Sequence, residues 1–210
     1  MRPRTSTRDP EELRWRLERW LASKLDPGAS PRVLGVDVPA SNGMSSETLL
    51  FDAAWEEGGS TREQALVARL APDPAAVPVF PTYDLDQQFR VMGLVAEHSQ
   101  VPVPRVLWSE PDPSPLGAPF FVMERVLGQV PPDLMPYTFG DNWVSDGTDE
   151  QRATLQRSTV GVLAALHAIG DPIATFAVLA PDHDDGRTPL RRHVDEQRDY
   201  CRWVVGDGTG

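Results

Sequence analysis

Pro119-Phe120-Phe121-Val122-Met123-Glu124-Arg125-Val126-Leu127-Gly128 is the stretch that decides how the rest of the chain reads. Four apolar side chains run unbroken from Phe120, two charged ones follow, and Gly128 with Pro131-Pro132 closes the segment. A short apolar run ended by breakers predicts a buried strand that emerges into a loop. The sequence before it reads as a small sheet with one packed helix, and the sequence after it reads as helical. The expected class is therefore α+β.

Working back from this strand, Asp9 is placed to cap a helix that starts at Pro10, with Glu11 and Glu12 in the first turn. Leu13, Leu17, Trp20, Leu21 and Leu25 fall on one face, and Pro27-Gly28 stops it, so a docking helix is expected. Three strands follow at 33–38, 47–55 and 64–70, the last two joined by a turn at Glu57-Gly58-Gly59. The first two are joined by Ala40-Ser41-Asn42-Gly43-Met44-Ser45-Ser46, which on its own reads as a polar hairpin. The third strand is apolar apart from Arg69, which on its own reads as a cation facing water. Asp84 and Gln87 have capping-box spacing ahead of a helix with Leu85, Phe89, Met92 and Val95 inward. Val101-Pro102-Val103-Pro104-Arg105-Val106 must then run extended, because proline bars the helical path.

Working forward, residues 128–147 form a long connection with Pro131, Pro132, Pro136 and the aromatics Tyr137, Phe139 and Trp143. Such a connection is a substrate lid or a structured crossover. Thr148 and Gln151 cap a helix reaching Ile169, with Leu155, Val162, Leu163 and Leu166 inward and His167 held in a helix-packing interface. Asp182-His183-Asp184-Asp185 is metal-like in composition, but with Gly186 and Pro189 alongside it reads as a solvated loop. A last helix covers 190–205.

The bulk properties narrow the function. The formal charge of −11 argues against a nucleic-acid surface, which needs clustered cations. No apolar run has membrane-spanning length, and no apolar segment follows the Arg-rich N-terminus as a secretory signal requires. A single cysteine, Cys201, has no internal disulfide partner and fits a cytoplasmic location. Lys24 is the only lysine.

Phe-Phe-Val-Met-Glu-Arg-Val-x-Gly resembles the hinge of the aminoglycoside phosphotransferase and choline kinase-like family. Pro-Val-Pro-Arg-Val at 102–106 and Leu-Ala-Ala-Leu-His-Ala-Ile at 163–169 resemble two further signatures of it. The resemblance implies a two-lobed protein-kinase-like fold. A tail and docking helix would cover 1–29, a nucleotide-binding lobe with an antiparallel sheet 30–127, and the start of a helical lobe 128–210. It implies ATP or GTP as cofactor, with Mg2+ in a full family member, and a small-molecule acceptor. Gly43, Met44, Ser45 and Ser46 would lie over the phosphates. Arg69 would replace the usual strand lysine, and Gln88 the acid that pairs with it. Met123, Glu124, Arg125 and Val126 would hold the base through backbone atoms. In the family the histidine of this helix is structural, and the resemblance implies the same for His167.

The family's chemistry depends on a His-Gly-Asp-x-x-x-x-Asn-like loop and a later metal-binding aspartate. The Gly-Asp pairs at 140–141, 170–171 and 206–207 lack the required asparagine spacing. The expectation is thus an N-terminal portion of a phosphotransferase, truncated and inactive as these 210 residues, with no catalytic or metal-binding residue of its own. The alternative is a non-catalytic nucleotide- or partner-binding module. Leu155, Val160 and Leu163 would leave apolar surface open to self-association.

Overall fold

The computed structural model describes residues 9–39, 46–72, 79–131, 140–180 and 186–206. The expectations for the tail at 1–8, for Gly43, Met44 and Ser45, for the aromatics at 137–139 and for the acidic loop at 182–185 lie outside the described residues.

Five strands form one antiparallel sheet: β1 (Arg32–Asp37), β2 (Glu47–Glu57), β3 (Ser60–Leu70), β4 (Val106–Glu110) and β5 (Phe120–Glu124), in the order β1-β2-β3-β5-β4. The expected strands are all present, and β2 and β3 run further towards their shared turn than the apolar pattern suggested. The turn is the reason. Gly58 and Gly59 take φ of 60° and 83°, which allows a two-residue reversal with Glu57 paired to Ser60. Positive φ at two successive positions is open to glycine at little cost and keeps the charged strand ends in register.

Alternation along the strands gives the sheet two different faces. Leu49 and Phe51 of β2, Leu66 and Leu70 of β3, and Phe120 and Val122 of β5 all point to one side and are buried. Helix α1 (Pro10–Lys24) covers that side with Leu13, Leu17, Trp20 and Leu21. Asp9 caps it as expected, accepting the Glu11 N–H at 2.9 Å. Its docking partner is the sheet itself. The Trp20 ring sits edge-on to Phe120, with centroids 4.8 Å apart, and its Nε1 donates to Glu110 Oε2 at 2.9 Å. Lys24 Nζ reaches the same oxygen at 2.9 Å, so the only lysine is a clamp between α1 and β4. Burial pushes the Glu110 carboxyl up, but the bonds from Trp20, Lys24 and the Asp112 N–H outweigh it and hold the group below its ordinary range.

Helix α2 (Leu85–His98) lies on the opposite side, and Phe89 meets Phe121 edge-on at 6.1 Å. Asp84 Oδ1 accepts the Gln87 N–H at 2.7 Å. Leu85 and Val95 are buried, while Phe89 and Met92 are half-buried. The extended 101–105 segment has a packing role: Val101 and Val95 form a small second core with Ile169.

Beyond the sheet come α3 (Trp143–Asp146), α4 (Asp149–His167), α5 (Pro172–Thr175) and α6 (Pro189–Val205). Thr148 and Gln151 form the reciprocal capping box, at 3.2 Å and 2.8 Å. The burial expected of α4 is corrected. None of its residues is buried: Leu155 is half-buried, Leu163 is 51% exposed, and Val162 and Leu166 are each 37% exposed. His167 is exposed too, and not enclosed between helices. The helical period was read correctly, but among the described residues no second layer covers the apolar face. No described helix is long and apolar enough to cross a membrane.

Candidate functional site

The face of the sheet that carries α2 also carries the polar residues of interest. Direct cross-strand pairing places Thr48, Arg69 and Phe121 in one row, and Leu50, Val67 and Met123 in the next. Asp52 and Ala65 form the third row. Arg125 continues β5 beside them, its N–H donating to the Ala65 carbonyl at 3.0 Å. From Ala65 to Arg69 is four residues of strand, about 13 Å at the usual rise. The apolar floor between them includes Val67, 7% exposed.

Arg69 is half-buried, and its Nε donates to Ser46 Oγ at 3.0 Å. Ser46 is 8% exposed and stands immediately before β2. The bond therefore ties the strand cation to the end of the 40–46 loop. It also fixes the guanidinium by its inner nitrogen, leaving the paired outer nitrogens, the ones that grip an oxyanion bidentately, clear of Ser46. Gln88, on α2, is exposed, and among the described residues no hydrogen bond joins it to Arg69.

The hinge segment is more restricted than its sequence suggested. The Glu124 N–H donates to the Arg105 carbonyl at 2.9 Å, and the Arg125 N–H is used by Ala65. The Glu124 carboxylate accepts from Gln64 Nε2 at 3.1 Å and lies 3.8 Å from Arg105. Val126 is the first residue past the sheet whose N–H donates to no backbone carbonyl among the described residues, and its side chain is 70% exposed. Met123 keeps its place in the Val67 row and is half-buried.

Asp52 was missed. Its carboxylate forms an ion pair with Arg125 Nη2 across 73 positions of sequence. Strand alternation would have placed Asp52 opposite the α1 face, but no local signal names a partner so distant. Among the described residues, no group of three or more His, Cys, Asp or Glu is arranged to hold a metal ion.

This geometry pairs a strand cation, tied to the loop between two strands, with a strand that leaves the sheet for a helical region. The profile of the phosphotransferase enzyme family matches residues 39–206. The chain belongs to that family. It is 28% identical over 127 residues to a protein of Arabidopsis thaliana named "Probable acyl-CoA dehydrogenase IBR3", a match covering 60% of this chain and 14% of the relative. A crystal structure from Ralstonia eutropha JMP134, named "putative aminoglycoside phosphotransferase", is similar at 23% identity with a TM-score of 0.45. That likeness covers 77% of this chain and 39% of the other. The chain thus spans less than half the length of either protein.

Proposed function

We propose that this chain is the nucleotide-holding part of a phosphotransferase that moves a phosphoryl group from ATP or GTP to a hydroxyl of a small molecule. The observation that carries the proposal is Arg69. It sits on β3 on the same face as Val67, with its Nε held by Ser46 at the end of the loop between β1 and β2. Phosphoryl transfer is chiefly positioning and charge neutralisation, and a preorganised guanidinium supplies both for the inner phosphates. In this reading Gly43, Met44, Ser45 and Ser46 cover the phosphates. The backbone of 123–126 holds the base, with the Val126 N–H as its donor. The stabilisation that relatives take from an acid near the strand cation comes here from Ser46, and Gln88 has at most a secondary part.

Mg2+, when bound, would neutralise the transferring group. Its oxygen ligands would have to come from an arrangement other than three or more clustered His, Cys, Asp or Glu side chains of the described residues. In this reading the 210 residues bind nucleotide without turning it over, and do so in the cytoplasm. The kinship to a protein named as an acyl-CoA dehydrogenase supports leaving the acceptor open to hydroxyls other than those of an antibiotic.

A second reading, a non-catalytic nucleotide- or partner-binding module, is favoured by one observation, the uncovered apolar face of α4. Titration with a fluorescent nucleoside diphosphate tests the main reading. Arg69→Ala is expected to weaken binding about tenfold or more, the scale of one lost charge-assisted contact, and Arg69→Lys to recover part of it. Equal binding by the native chain and Arg69→Ala, or none by either, would remove the nucleotide assignment.

A further inference from the structure

We infer that Asp52 is a positioning residue for the hinge: through Arg125 it holds the strand exit in place, and with it the first backbone N–H that a nucleobase can use. The inference rests on the nucleotide-binding reading and adds a residue to it.

The backbone alone does not fix the exit. The last sheet bonds of β5 are those of Glu124 to Arg105 and of Arg125 to Ala65. One residue later, Val126 is 70% exposed and Leu127 86% exposed, so side-chain packing ends abruptly. What remains at the boundary is the Arg125 side chain, 23% exposed, turned back over the sheet onto Asp52. Its Nε is buried and has no hydrogen-bond partner among the described residues, so the contact with Asp52 sets where the guanidinium lies. Asp52 is itself held mid-strand, paired with Ala65 of β3 and Gly35 of β1. The pair therefore links the exit to the second strand of the sheet, two strands away from β5.

Its location gives the link a consequence for binding. Asp52 and Ala65 also line a cavity of about 380 Å3 together with Leu34, Gly35, Glu63 and Gln64. The ion pair joins Asp52, which lines that cavity, to Arg125 at the exit, two rows along the face from Arg69. A ligand about 13 Å long with its anionic end at Arg69 would reach this boundary along the face. A wandering exit would leave the phosphate contact intact while losing the base contact.

The test uses the 210-residue chain with Asp52→Ala, Arg125→Ala, the double variant and the charge swap Asp52→Arg with Arg125→Asp. Amide hydrogen exchange at Glu124 and Arg125, whose N–H groups make the last sheet bonds, unfolding midpoint and affinity for a fluorescent nucleoside diphosphate are measured on each. Asp52→Ala is expected to speed exchange at those two amides and to raise Kd three- to tenfold, with the unfolding midpoint almost unmoved. The double variant is expected to match the worse single one, and the charge swap to recover affinity. Unchanged exchange in Asp52→Ala would overturn the inference, as would faster exchange with unaltered Kd. If the native chain binds no nucleotide, the failure belongs to the function proposed above. Exchange then still decides whether Asp52 holds the exit.

Discussion

The sheet with α1 and the helices after residue 140 obey the same local rules and end in opposite states. Both regions have well-formed caps: Asp9 on α1 and the Thr148–Gln151 box on α4 satisfy backbone N–H groups that would otherwise lack a partner. Both carry apolar faces at helical spacing. Yet α1 buries Leu13, Leu17, Trp20 and Leu21 against the sheet, while α4 buries nothing along its 19 residues. Among the described residues it is held at its ends: Arg152 bonds the Ser145 carbonyl at 3.0 Å near the start, and Ala165 with Ile169, just past the helix, packs with Val95 and Val101. Capping and periodicity decide that a helix forms. What lies opposite decides what the helix contributes to stability.

The contrast can be broken most directly at Leu17, which is fully buried. Leu17→Ala is expected to lower unfolding free energy by about 3–4 kcal/mol, from lost transfer energy and the cavity left behind. Denaturant unfolding would show it as a shifted midpoint.

A smaller effect is expected at the clamp between α1 and β4. Glu110→Gln removes the charge that Lys24 and Trp20 share, for about 1 kcal/mol or less near neutral pH. Its pH signature is more telling than its size. Because the folded carboxyl titrates below its ordinary range, the unfolded chain takes up the proton first as pH falls. The contribution is fully present above the ordinary carboxylate pKa, about 4.3, and is lost as pH drops through and below it. Midpoints measured from pH 7 down to pH 3 should fall less steeply for Glu110→Gln than for the native chain. Parallel curves would mean that the clamp is not the source.

The smallest effect belongs to Leu163→Ala, expected within about 0.5 kcal/mol because half of that side chain already meets water. A loss comparable to that of Leu17→Ala would show that something covers α4 in solution, and sedimentation would tell whether it is a second copy.

These contrasts follow what could be read along the chain and what could not. Strand positions, the Gly58-Gly59 turn and the caps were legible because each is set by neighbours within a few residues. The role of Pro102 and Pro104 was legible for the same reason, since a proline restricts its own residue and the one before it. The burial of α4 was misread because an apolar stripe states a preference for cover and says nothing about whether cover is present. The contacts of Lys24 and Asp52 were not legible for another reason. Their partners, Glu110 and Arg125, are far away in sequence, and only sheet order brings them together. Within the site, the strand position of Arg69 was readable, but its bond to Ser46 was not. The strand at 120–124 was readable, yet the N–H groups at 124 and 125 proved to be used within the sheet.

The lysine clamp also gives the chain a built-in chemical reporter. With a single lysine among 20 basic residues, an amine-selective acylating reagent has one side chain to find, and a lysine-specific protease has one bond to cut, immediately after α1. That amine is paired with Glu110 and lies over the Trp20 ring at 5.6 Å, so reagent and protease compete with a docked helix. The rate at which either one reacts is a clock for the undocking of α1, readable by mass without altering any residue.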